Sequence, residues 1–139
     1  KQKGAVAIEF ALVFLIFFAV FYGIVTYSLP LLLMQSFTQS TAEAVRRSVA
    51  LDPSTPGYDT AVKTVATTEL SRQLAWIPAA LNFNVATDAS VTYVGGVLTV
   101  SINYPTSKLQ QVIPFLNVPG IGQVPNLPAN LSARSSLQF

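Results

Sequence analysis

Glu9 is the only charged side chain in an apolar run that extends from Ala5 to Met34, AVAIEFALVFLIFFAVFYGIVTYSLPLLLM. Lys1 and Lys3 precede that run, and the next charge after Glu9 is Glu43. The chemistry open to such an acid is ion pairing. A carboxylate carried to the centre of a bilayer costs roughly 2.5 kcal/mol or more, so it persists where a cation and hydrogen-bond donors meet it. The partner expected for Glu9 is a positive group at a chain terminus.

Catalysis has few residues to work with. The 139 residues include no histidine and no cysteine, which removes the commonest general base, imidazole and thiolate metal ligands, and disulfides. Neither a serine triad nor an imidazole-built zinc site can be assembled. Asp52, Asp59, Glu69 and Asp88 follow no spacing that forces a carboxylate pair and are read as solvated surface acids. Gly95-Gly96 and Gly120-Ile121-Gly122 lack the lysine and the strand-to-helix setting of a phosphate loop. The expectation is therefore no enzyme activity, no catalytic residue, no metal and no cofactor. The net charge of +2 comes from Lys1 and Lys3, because the other six cations balance the six acids. With Arg46-Arg47 as the only adjacent basic pair, nucleic acid is not an expected partner.

The element that must position Glu9 is a long helix. The stretch Phe10–Leu29 would rise about 30 Å, enough to cross the hydrocarbon of a bilayer. It is longer than the apolar core of a cleaved secretory signal, and no A-x-A-like site follows it. Lys1 and Lys3 would hold the N-terminus in the cytoplasm by the positive-inside bias. Pro30 is expected to kink or locally open the helix near the outer membrane boundary. From Leu31 to Leu51 the pattern is amphipathic, with Phe37, Thr41, Ala44, Val45 and Ser48 on one face, until Asp52-Pro53 ends it. Glu43 can meet Arg46 or Arg47 on a solvated face of that helix or across a subunit boundary.

A second helix is expected from about Gly57 to Trp76, with Thr55 as its cap, Pro56 in its first turn and Pro78 as its stop. Val62, Val65, Ala66, Leu70, Leu74 and Ile77 form its apolar stripe, and Trp76 is expected to pack on the core. Leu81–Val85, Ser90–Val94 and Val97–Tyr104 alternate as strands do, the last two joined by Gly95-Gly96 in a tight hairpin. Leu131–Phe139 reads as the strand that closes the sheet. Residues 107–130 carry Pro114, Pro119, Pro125 and Pro128 among apolar residues and read as an irregular packed loop. Its exposed part would carry subunit contacts, with core packing as the alternative.

The stretch Gly4-Ala5-Val6-Ala7-Ile8-Glu9-Phe10 resembles the type IV pilin processing motif. That likeness implies that a prepilin peptidase cuts between Gly4 and Ala5, which makes Glu9 the fifth residue of the mature chain. Glu9-Phe10, Ala11-Leu12, Phe21-Tyr22-Gly23-Ile24-Val25 and Ala42–Ala50 look like the TadE branch of the tight-adherence (Tad/Flp) pilus proteins. The likeness covers about residues 4–50 and is only general beyond them. It implies other copies of this chain or other pilins as partners, together with a prepilin peptidase, an inner-membrane assembly platform, a motor ATPase and inner-membrane lipid before assembly. Cleavage would expose an ammonium at Ala5 that meets Glu9 of a neighbouring subunit, with Phe10 beside it in the filament core.

The expected fold class is α+β: a long N-terminal hydrophobic helix above which one helix packs on an antiparallel sheet. Residues 1–4 form a basic leader remnant, 5–51 the pilin helix with its span at about 10–29, and 52–139 a periplasmic or extracellular domain. The expected function is a structural pilin, anchored first in the bacterial inner membrane and then assembled into a surface pilus for adhesion. The alternatives are an uncleaved membrane-tethered scaffold or binding module and a type II secretion pseudopilin.

Overall fold

A computed structural model describes residues 2–139; Lys1, assigned above to the cytoplasmic flank, lies outside the described residues. Helix α1 runs unbroken from Lys3 to Val49, 47 residues and about 70 Å. Its buried residues are Thr26, Pro30, Leu33, Phe37, Ser40, Thr41, Ala44, Val45 and Ser48. Their alternating steps of three and four place them on one stripe. That stripe supplies the first wall of the core and includes every residue of the amphipathic face read between Phe37 and Ser48.

Helix α2 (Tyr58–Gln73) returns along α1 and buries Val62, Ala66 and Leu70. Ser48 faces α2, its hydroxyl 3.5 Å from the Val62 carbonyl. The Ser48 hydroxyl is satisfied by the Ala44 carbonyl at 2.8 Å. The start of α2 differs from expectation. Gly57 in the left-handed region (φ 68°) occupies the cap position. Thr55 instead donates its hydroxyl to the Asp52 carbonyl at 2.7 Å, inside a turn that Asp52 organises by accepting from the Ser54 N–H at 2.9 Å. Trp76 is also corrected: it lies beyond the last turn of α2 and is 43% exposed, whereas the core position falls to Leu74.

The segment expected as a first strand forms a 3₁₀ turn at Ala79–Leu81 and a short helix α3 (Val85–Asp88). Two local groups override its alternation. Asn82 adopts positive φ, and the Asn84 side chain accepts the Ala86 N–H at 2.9 Å as a helix cap. Phe83 still packs on the core, its ring 5.4 Å from that of Phe37.

Strands β1 (Ala89–Val94) and β2 (Val97–Pro105) make the hairpin read from the sequence, and β5 (Asn130–Gln138) pairs antiparallel on the other side of β2. Gly95 and Gly96 both take positive φ, as a two-residue primed turn requires. Along β2, Leu98, Val100, Ile102 and Tyr104 are buried against the helices while the alternate residues face outward. Between β2 and β5 the proline-rich stretch is more ordered than an irregular loop. It holds a short helix α4 (Thr106–Gln110) and a small hairpin of β3 (Leu116–Val118) and β4 (Gly122–Val124). The result is α+β, with the C-terminal half of α1 and α2 both packed on the sheet.

Candidate functional site

Every described residue from Gln2 to Phe21 is exposed. Between Val6 and Val25, fourteen large apolar side chains are 49–70% exposed. Burying that many is worth on the order of 20 kcal/mol or more, beyond the whole stability of an ordinary domain, so this half of α1 is built to be covered. Among the described residues, α1 alone has the length and composition to cross a membrane.

The bare half carries an aromatic ladder. Phe10, Phe14, Phe18 and Tyr22 stack at four-residue steps with ring centroids 6.2–6.3 Å apart, and Phe17–Phe21 repeats the contact at 6.2 Å. Pairs at this spacing support a helix surface before anything packs on it. The spacing was available in the sequence; hydropathy alone hides it, because it weighs a phenylalanine without regard to its phase.

Gly4 and Ala5 lie in the first turn of α1, and a Cβ added at Gly4 would meet nothing within 4 Å. Glu9 is exposed little more than a turn later, and among the described residues it has no ion-pair partner. Phe10 is 70% exposed beside it. The bare half thus brings together Gly4, Ala5, Glu9 and Phe10. Pro30 is separate, about 39 Å along the axis from Gly4 and buried in the covered half, where α1 continues through it as helix.

The two halves meet at a pair of tyrosines that the sequence reading did not single out. The Tyr22 hydroxyl donates to the Pro114 carbonyl. The Tyr27 hydroxyl accepts the Asn126 N–H at 2.8 Å. Thr26, between them, is 2% exposed and returns its hydroxyl to the Tyr22 carbonyl at 2.8 Å. The signal was available: tyrosines at the end of an apolar run belong where one end is dry and the other wet.

The charged residues lie in the covered half and the domain. Arg47 bridges Glu43 at 3.0 Å and Glu69 of α2 at 3.4 Å. Glu69 also accepts from Arg72 and from Gln73, the latter at 2.9 Å. These bonds, Arg72's first, hold the Glu69 carboxyl down at about 2. Asp88 is likewise buried and paired, with the Lys108 ammonium at 2.8 Å. The reading of Glu69 and Asp88 as solvated surface acids is therefore overturned: besides local partners, Glu69 meets Arg47 of α1 and Asp88 meets Lys108, and no local spacing reveals those two distant cations. Burial, with Asp88 nearby, pushes the Tyr104 phenol up to about 12 while its hydroxyl donates to the Leu81 carbonyl at 2.7 Å. These groups fasten the domain. Among the described residues no group of three or more acids converges as a metal site would need.

A small α+β domain is thus clamped on one half of a helix whose other half is bare, apolar and long enough to cross a membrane. The model of the TadE-like protein family matches residues 4–46, the stretch from which the resemblance was read. The match takes in both the bare half of α1 and most of its covered half. Over those residues the chain is similar to TadE-like proteins. No curated protein and no solved structure matches the chain.

Proposed function

We propose that this chain is a structural pilin, held in the bacterial inner membrane by the bare half of α1 and then assembled into a Tad-type surface pilus for adhesion. The observation that carries this reading is the bare half itself: a continuous apolar helix with a single acid near its start, rigidly joined to a folded domain. A plain anchor has no use for that acid. In a filament, removal of Lys1–Gly4 frees the ammonium of Ala5, and Glu9 of a neighbour supplies its counter-charge inside an apolar core. A buried charge left without its partner is costly, so the pair penalises wrong registers and favours the right one. Phe10 and the ladder above it provide the lateral packing.

The processing site suits this role. Gly4 sits in the first turn of α1, whose N–H groups have no intrahelical partner, and glycine weakens a helix by roughly 1 kcal/mol relative to alanine. A peptidase therefore opens little structure to reach the Gly4–Ala5 bond. The expected partners are copies of this chain or other pilins, a prepilin peptidase, the assembly platform with its motor, and inner-membrane lipid before assembly.

The test is the N-terminal sequence and intact mass of the protein in sheared surface filaments and in membranes, with and without the prepilin peptidase. A start at Ala5 in the sheared fraction, lost without the peptidase, is the expected result. A chain that keeps Gly4 and remains in membranes under all conditions refutes the pilin reading and favours the uncleaved tethered module.

A further inference from the structure

The β3–β4 hairpin has a composition and a position that the pilin reading leaves unused. From Leu109 to Ala133 the chain carries no charged residue. Within that stretch Val112, Leu116 and Ile121 expose 43, 45 and 77% of their surface, and Ile121 stands at the hairpin tip beside Gly120 and Gly122. Water-facing hairpins carry polar tips, and Asn117 and Gln123 are the only polar side chains on these two strands.

Position supplies the second observation. Both ends of the hairpin segment are tied to α1, at Pro114 through Tyr22 and at Asn126 through Tyr27. These are the residues at which the bare half of α1 ends. Counting about 30 Å of hydrocarbon from Gly4 at 1.5 Å per residue brings the outer boundary to about Gly23, between the two tyrosines. Three-residue strands reach only about 10 Å, so the hairpin stays at that level whichever way it leans. An uncharged apolar hairpin rooted at a tyrosine pair, continuous with a helix exposed to lipid, meets the headgroup zone of the outer leaflet.

We infer that the β3–β4 hairpin is a lipid-contacting foot, which seats Leu116 and Ile121 in the interfacial zone of the membrane while the subunit is still anchored. The occupant is lipid, because the hairpin is rooted at Tyr22 and Tyr27, the level at which the bare apolar half of α1 ends. The foot fixes how deep α1 sits and places its span nearer residues 4–23 than hydropathy alone does. This inference rests on α1 crossing the membrane; it does not depend on filament formation.

Trp76 is the sole tryptophan and is partly exposed, so a Trp76→Phe background accepts single reporters. Three are needed: Phe14→Trp in the bare half, Ile121→Trp at the hairpin tip and Thr60→Trp at the far end of α2, all at exposed positions. Each full-length protein is reconstituted at low density in phosphatidylethanolamine–phosphatidylglycerol vesicles, with and without acyl chains brominated either close to the headgroup, to report on Ile121, or near the methyl end, to report on Phe14, and circular dichroism confirms the fold. The Phe14 and Ile121 reporters lose emission to the brominated lipid and the Thr60 reporter does not. An Ile121 reporter that keeps its emission while Phe14 is quenched overturns the foot and assigns the patch to subunit contact. If the Phe14 reporter also keeps its emission, α1 does not span and the anchoring reading fails with it.

Discussion

The two halves of α1 are one continuous helix with opposite constructions. From Ala5 to Phe21 the surface is apolar all round except for one acid; from Tyr22 to Val49 a single stripe is buried and the rest is mixed. A helix apolar on every face needs its surroundings to be apolar, whereas an amphipathic one brings its own core partner. The same backbone therefore serves two solvents. The difference separates what holds the domain together from what the subunit does with other molecules, and substitutions can be sorted on that basis.

The largest contrast is expected between two phenylalanines. Phe37 is fully buried between Phe83 and Tyr104, and Phe37→Ala should cost about 3–5 kcal/mol of domain stability. Phe14→Ala, in detergent that covers the bare half, should change the same denaturation free energy by less than about 0.5 kcal/mol. Equal losses at the two sites would erase the distinction between the halves. Next comes Glu9→Gln, which removes the counter-charge without altering the domain. If the chain assembles as proposed, its amount in the sheared surface fraction should fall about tenfold or more, while the unfolding midpoint stays put. A fall in both would mean that Glu9 stabilises the fold and has no special part in assembly.

Acid should act on the covered half through Glu69. Its carboxyl titrates at about 2 in the folded chain against an ordinary value of 4.5, so between those values the native state binds fewer protons than the unfolded one. The stabilisation is complete above pH 4.5 and is lost as pH falls through 2. Because Arg72 is largely exposed, the effect is about 1–2 kcal/mol. Glu69→Gln should flatten that part of the stability–pH curve, which chemical denaturation at stepped pH would follow. The most local effect is expected at Gly96. Its φ of 78° and the Phe139 carbonyl 3.3 Å from an added Cβ make Gly96→Ala cost about 1–2 kcal/mol, confined to the end of the sheet and visible as faster amide exchange at Val94 and Val97.

Periodicity made the covered half legible. The Phe37–Ser48 face, the stripe of α2 and the Gly95-Gly96 hairpin could all be read because each is a local pattern with one dominant period. Leu81–Val85 was not legible: its alternation is genuine, but Asn82 and Asn84 bond the backbone locally and turn it. Trp76 fell outside its helix by three residues, which was enough to move it from core to surface. That Gly4, Ala5, Glu9 and Phe10 lie on one helical stretch could be read because the bare half makes few contacts beyond its own helix; their part in processing and assembly is the proposal made above. The tyrosine clasp and the Arg47–Glu69 bridge could not. Each joins residues far apart in the chain, and only the closed fold shows that Tyr22 and Pro114 face one another.

The boundary between the two halves of α1 falls at Tyr22. The chain has no native cysteine, so single cysteines can be placed along both halves of α1 and challenged with a membrane-impermeant thiol reagent, in inner-membrane vesicles and in sheared filaments. Positions from Phe10 to Phe21 should be protected in both settings, by lipid in the first and by neighbouring subunits in the second. Leu31 and Gln39, exposed on the covered half, should react in the vesicles. Free reaction at Phe14 or Phe17 in both settings would contradict the account, because the bare half would then face water.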